Sequence, residues 1–153
     1  KIEDKDNVIS LTKRWMRGDS FTADFNFFIQ KIPQPHSRSV QISGLYLKRG
    51  PIVYALPFDY RSVKDKEHRR TGFYRYRLYA KDKSLWNLSL NPDDEFIYSE
   101  DPEGDILHPW DKPVVFLRGL LTTGKNKKIS LNLVPMGNTI FRRVTFTKTL
   151  TKD

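Results

Sequence analysis

The sequence predicts an all-β protein, an antiparallel β-sandwich of jelly-roll-like kind that takes residues 1–153 as a single domain. Three observations carry this. Aromatic residues make up 13% of the chain, with 10 Phe and 7 Tyr, and such residues favour the half-buried, pleated surface of strands. Nine prolines and eight glycines punctuate the chain about every ten residues, the rhythm of short strands joined by turns. Several segments alternate apolar and polar residues with period two, while none holds a helical period. A chain of 153 residues buries roughly two thirds of the surface its unfolded form exposes, enough for a core without staples.

Val8 to Thr12 reads as the first strand, with Ile9 and Leu11 on one side. Arg17-Gly18-Asp19 turns the chain into Phe21–Ile29, where Phe21, Ala23, Phe25, Phe27 and Ile29 keep strict alternation. That is the cleanest strand pattern in the sequence and predicts one buried face and one wet face. Pro33 to Ser37 is a loop and Val40–Leu47 a strand. Arg49-Gly50-Pro51 is a turn into Ile52–Leu56, a wholly apolar run closed by Pro57. An uninterrupted apolar run between Gly/Pro boundaries predicts a strand covered on both faces. Residues 59–72 show no periodicity and read as a long polar loop.

Further along, Phe73–Ala80 places Tyr74, Tyr76, Leu78 and Ala80 on one face and Arg75 and Arg77 on the other. The tyrosine row is expected to face the core. Leu85–Leu90 is the next strand, Asn91–Asp94 a turn, Phe96–Tyr98 a short strand and Ser99–Asp105 an acidic loop. Pro113–Leu117, Ile129–Val134 and Thr139–Thr147 complete the set, with Thr123–Asn126 as a hairpin turn.

Composition closes several routes to chemistry. There is no cysteine, so a disulfide framework, a thiolate metal site and a cysteine nucleophile are impossible within the chain. No apolar run approaches 18 residues, so no membrane-spanning helix and no membrane partner are expected. The charged start, Lys1-Ile2-Glu3-Asp4-Lys5-Asp6, has no signal-peptide core, and the missing initiator methionine leads us to expect a piece of a longer protein.

The formal net charge of +9 raises the question of nucleic acid. Residues 61–83 carry nine Lys/Arg against three acids, whereas residues 91–105 carry seven acids and no Lys or Arg. Blocks of opposite sign predict solvated or mutually facing loops, not a uniform phosphate-tracking stripe. Tyrosines and arginines on opposite faces of one strand also argue against a shared nucleic-acid surface. No nucleic-acid partner is expected.

The candidate chemistry is sparse. Glycosidases hold two carboxyl groups across the scissile bond at fixed separation, but the acids here gather in one polar loop. His36, His68 and His108 lack metal-site spacing. Glu100–Asp105 offers oxygen atoms suited to calcium without EF-hand spacing. No catalytic residue, metal or cofactor is expected. Trp110 and Trp86 are the candidate substrate-binding residues, because an indole face suits the apolar C–H face of a pyranose. Packing within the core or against another domain is the alternative for both.

Four segments together resemble the C-terminal β-sandwich region of the β-L-arabinofuranosidase-like glycoside hydrolases (family 127-like). They are Ile9–Asp19, Arg49–Leu56, Leu85–Leu90 with His108–Val114, and Ile129–Phe146, in which Leu133-Val134-Pro135-Met136-Gly137-Asn138-Thr139 and Arg142 stand out. The likeness runs from about residue 8 to 147. The residues that match are Trp15, Gly18, Asp19, Arg49, Gly50, Pro51, Pro135 and Gly137; Met136 stands where an aromatic is usual.

The resemblance implies that catalysis belongs to a helical (α/α) barrel elsewhere, and that this chain is a non-catalytic accessory domain packed against it. An intramolecular catalytic domain is then the natural partner and carbohydrate a possible second one. The family also favours a periplasmic or extracellular setting. The matched residues would serve turn geometry and strand termination, with Arg49 and Asp19 a candidate pair.

Overall fold

The computed structural model describes residues 2–5, 8–34 and 44–148. Ile2–Lys5 (β1) and Val8–Leu11 (β2) form a separate antiparallel hairpin. The body of the molecule is built from Ile29–Pro33 (β3), Gly44–Arg49 (β4) and Ile52–Pro57 (β5). A second free-standing hairpin, Tyr60–Glu67 (β6) and Tyr74–Ala80 (β7), follows. The chain returns to the body with Ser89–Leu90 (β8), Phe96–Glu100 (β9), Val115–Thr122 (β10) and Lys128–Pro135 (β11). Arg142–Arg143 (β12) and Phe146–Lys148 (β13) end it.

The all-β class is as the sequence predicts. In place of two stacked open sheets, six strands pair in a closed ring, β4–β5–β11–β10–β8–β13 and back to β4. β3, β9 and β12 extend this ring from β4, β10 and β5. All of these pairings are antiparallel but one: β13 runs parallel to β8. Closure gives each of the six ring strands a partner on both sides, and a ring this small is filled by its own side chains.

The filling follows from strand alternation. Leu45 and Leu47 of β4, Tyr54 and Leu56 of β5, Leu117 and Leu121 of β10, Leu133 of β11, Leu90 of β8 and Phe146 of β13 meet in one core. Full burial of each large apolar side chain is worth about 1.5–3 kcal/mol relative to exposure. β5 is covered on both faces as expected, since Tyr54, Ala55 and Leu56 are consecutive and all buried. Gly119 faces inward between Leu117 and Leu121, where its missing side chain makes room for the Phe96 ring.

Two turns are legible in residue chemistry. Gly50 (φ +57) and Pro51 link Arg49 to its partner Ile52, the arrangement of a type II′ hairpin with glycine first. At the other, Thr123 accepts from the Asn126 amide at 2.8 Å and Asn126 takes φ +59, a conformation asparagine tolerates.

Several expectations are corrected. Phe21–Phe28 is not a strand; regular pairing begins at Ile29. Alternation alone does not make a strand without a neighbour to take up its backbone groups, and Phe21 and Phe25 remain 65% exposed. Residues 60–67 form a strand instead of a loop. Neither face of the β6–β7 hairpin is buried, so β6 carries no apolar period to read. For the same reason Tyr74 and Tyr76 face solvent and not the core.

Leu85–Leu90 is mostly a 3₁₀ turn, Lys83–Asn87, whose start is capped by Asp82 accepting from the Ser84 amide at 2.8 Å. Thr139–Thr147 is broken into β12 and the approach to β13. The expected strand over Val40–Ser43 and the loop Pro35–Ser37 lie outside the described residues. No helix among the described residues is long and apolar enough to cross a membrane.

One core group invites a test. Tyr54 is fully buried, its hydroxyl has no hydrogen-bond partner among the described residues, and burial pushes its ionisation above the usual tyrosine range. An unpartnered buried hydroxyl is destabilising. Tyr54→Phe is therefore expected to leave stability unchanged or raise it by about 1–2 kcal/mol in urea melts. A loss of more than about 1 kcal/mol would show that the hydroxyl is in fact bonded.

Candidate functional site

The loop that carries Trp110 is stiffened by Asp105. Its carboxylate accepts from the Leu107 amide at 2.8 Å and the His108 amide at 3.2 Å, and its second oxygen lies 2.9 Å from His108 Nδ1. The loop is closed at its base by the Asp105 amide donating to Lys112 O at 3.1 Å. His108 beside it, then the Leu107 amide, hold the Asp105 carboxyl below the usual carboxylate range. The carboxylate is thus ionised at neutral pH and fixes the turn by local side-chain capping.

Trp110 projects from this loop with 61% of its surface exposed, its ring met edge-on by His108 at 6.0 Å. Opposite it runs the Met136–Asn138 3₁₀ turn that follows β11. The Asn138 side-chain amide donates to the Pro109 carbonyl and ties the two segments together. Arg142 donates to the Thr139 carbonyl at 2.5 Å and the Ile140 carbonyl at 3.2 Å, holding the next residues in place. Between them lies a shallow cleft of about 190 Å³, lined by Tyr60, Trp110, Gly137, Asn138, Thr139 and Ile140. A ring-sized hollow with one open indole and a few polar groups matches the composition of small-molecule sites, though it is smaller than most.

Trp86 is not brought to this cleft. It sits on the Lys83–Asn87 turn, packs edge-on against Phe58 at 4.4 Å and lies 5.7 Å from Phe141. Phe141 in turn meets Tyr60 at 5.9 Å, so Trp86 belongs to the aromatic wall behind the cleft and Trp110 to its mouth. Arg143 donates to the Leu85 and Trp86 carbonyls, and burial lowers its ionisation from the usual arginine range. Tyr60 and Ile140 were not singled out from sequence. Tyr60 lies in what reads as a featureless loop, and it is set at the cleft by its ring contact with Phe141 and by the Phe58 amide donating to Phe141 O at 2.9 Å.

The matched motif residues take structural roles. Gly18 (φ +91) turns Met16 into Asp19, with the Asp19 amide donating to Met16 O at 3.1 Å, a type II pattern that asks for glycine. Asp19 pairs with Lys13 at 2.9 Å and accepts from the Met16 amide at 2.9 Å, and these contacts, Lys13 first, lower its ionisation. Trp15 packs on Phe21 with ring centres 6.1 Å apart, and Lys13 lies over its ring.

Arg49 does not meet Asp19; its guanidinium stacks 3.9 Å above the Tyr98 ring. A side chain on Gly50 would strike the Phe27 ring, while Pro51 completes the turn. Pro135 ends β11 opposite Tyr54. Gly137 does not use positive φ and has open space where a Cβ would be. Its match therefore has no conformational cause of the kind expected.

The acidic stretch is internally organised. Asp101 accepts from the Glu103 amide at 3.0 Å, and Asp94 meets Lys128 at 2.7 Å. Lys31 donates to the Pro92 and Asp94 carbonyls. Among the described residues no three His, Cys, Asp or Glu side chains gather as a metal-ligand set. Comparison with protein-family models, with curated proteins and with solved structures finds no match for this chain.

Proposed function

We propose that the chain is a non-catalytic accessory domain of a glycoside hydrolase, packing against a helical-barrel catalytic domain and stabilising it. The observation that carries this is an apolar groove of about 500 Å³ bordered by Ile9, Leu11, Phe21 and Phe25, in a region that also exposes Trp15, Met16 and Phe28. Contiguous apolar surface of this kind belongs to an interface. The order of the four family-like segments supplies the identity of the partner. On this reading the closed six-strand ring stands where that family has its jelly-roll-like sandwich.

The test is association with a separately produced (α/α)-barrel domain of a β-L-arabinofuranosidase-like enzyme. Micromolar binding by calorimetry is expected, weakened at least tenfold by Phe21→Asp with Phe25→Asp. Absence of any complex would refute the reading.

A second function, direct glycan binding, is favoured by the open indole of Trp110 over its cleft. Trp110→Ala is expected to abolish whatever oligosaccharide binding the intact domain shows in titrations, with its melting temperature unchanged. Binding that survives the substitution would remove the cleft from consideration.

A further inference from the structure

The β6–β7 hairpin is a device the accessory-domain reading does not use. It pairs with no strand of the ring, and residues 60–80 carry seven Lys/Arg against two acids. Both acids are engaged. Asp65 accepts from Arg75 Nε at 2.8 Å and Arg77 Nε at 3.1 Å, and Glu67 accepts from the Gly72 amide at 2.7 Å. Arg75 and Arg77 nevertheless keep more than half of their side-chain surface in solvent. Lys66, Glu67, His68 and Arg75 line a hollow of about 120 Å³ near the tip.

The tip itself is a strained turn. The Thr71 amide donates to His68 O at 3.0 Å, and both central residues, Arg69 (φ +48) and Arg70 (φ +56), lie in the left-handed region. That is a type I′ turn, for which Asn-Gly is the comfortable pair. Two arginines there are disfavoured by backbone sterics, and strain held in an exposed turn points to use of the side chains it presents.

We propose that this hairpin, with the Trp110 cleft at its root, binds an acidic polysaccharide, a chain of pyranose rings bearing sulfate or carboxylate groups. The inference rests on the glycan reading of that cleft and deepens it. Tyr60 joins the two parts, being both the first residue of β6 and a wall of the cleft. One sugar ring lies on Trp110, and the acidic groups of its neighbours meet Lys64, which shares the Tyr60 face of the ribbon, and the Arg69 and Arg70 side chains at its tip.

Single-stranded nucleic acid fits less well. It needs open ring faces along the ribbon for successive bases, whereas Lys64 lies 3.3 Å over the Tyr74 ring and Arg61 5.0 Å over that of Tyr79. Tyr74 and Tyr76 also point away from the face that carries Arg75 and Arg77.

The test is calorimetric titration of the intact chain with heparin, polygalacturonate, neutral dextran and oligothymidylate at several salt concentrations. Heparin or polygalacturonate is expected to bind, weakening as salt rises. Arg69→Asn with Arg70→Gly relieves the turn, so the melting temperature should hold or rise while affinity for the acidic glycan falls about tenfold and the salt dependence flattens. Trp110→Ala should weaken the same binding.

Acidic-glycan binding within twofold of the parent chain in the tip variant overturns the proposal, as does oligothymidylate binding equal to that of heparin. If Trp110→Ala weakens a neutral sugar while the tip variant changes nothing, the glycan reading stands and this inference alone fails. If Trp110→Ala leaves every glycan unaffected, both fail.

Discussion

Phe146→Ala is expected to lower the stability of the domain by about 3–5 kcal/mol and its melting temperature by roughly 10–15 °C. Phe146 is fully buried on a strand of three residues, Phe146–Lys148, that closes the ring. It pairs with Leu45 of β4, while Thr147 and Lys148 pair with Ser89 and Leu90 of β8. So few ladder bonds hold this seam that the buried ring, with Arg143 lying 5.1 Å over it, supplies much of what keeps it shut. Urea melts give the loss. Amide exchange should show β8 and β13 opening ahead of β10 and β11, which are joined by six paired residues. A loss below about 1.5 kcal/mol would mean the seam does not depend on this side chain.

Gly119→Ala is expected to cost about 2–4 kcal/mol, at or above the usual range for overpacking. The added methyl would stand 2.3–2.4 Å from two carbons of the Phe96 ring, and a β-strand leaves little backbone freedom to move it. Phe96, the first residue of β9, is itself buried, so displacing its ring empties part of the core. Phe96→Ala alone should cost roughly 3 kcal/mol. Combined with Gly119→Ala it should cost no more than it does alone, giving a coupling energy of about 2–4 kcal/mol, the whole cost of the added methyl. Additive losses would show that the two residues do not share the space.

How much of this was legible depends on whether the deciding force was local. The Ile52–Leu56 run and the Gly50-Pro51 turn are readable because burial on both faces and a positive φ leave direct marks in residue type. The turn at Thr123–Asn126 is readable for the same reason. Phe21–Phe28 misleads, since period two states a capacity to be a half-buried strand and says nothing of whether a partner lies alongside. The β6 strand was hidden for the converse reason. It has a partner, β7, but no core to face, so its sequence carries no apolar stripe.

The candidate site was half legible. Trp110 is conspicuous as an indole in a proline-flanked loop, and Asn138 lies in the Leu133–Thr139 stretch singled out from the sequence. Tyr60 and Ile140 carry no such mark, and Trp86, equally conspicuous, turns out to pack on Phe58. Arg49 and Asp19 are both charged and both in turns, yet they find Tyr98 and Lys13 instead of each other.

Residue type and local order were enough for the all-β class, the doubly covered β5, the tight turns and the impossibility of thiol chemistry. These rest on backbone sterics, residue volume and composition, which act within a few residues. Long-range packing settles that six strands close into a ring, that the Phe21–Phe28 face stays open, that a basic ribbon stands clear of the core, and that Tyr60 and Trp110 line one cleft. Those outcomes depend on which distant backbone groups pair and which surfaces meet. That choice is made by the burial and hydrogen bonding of the whole chain against the entropy of closing its loops.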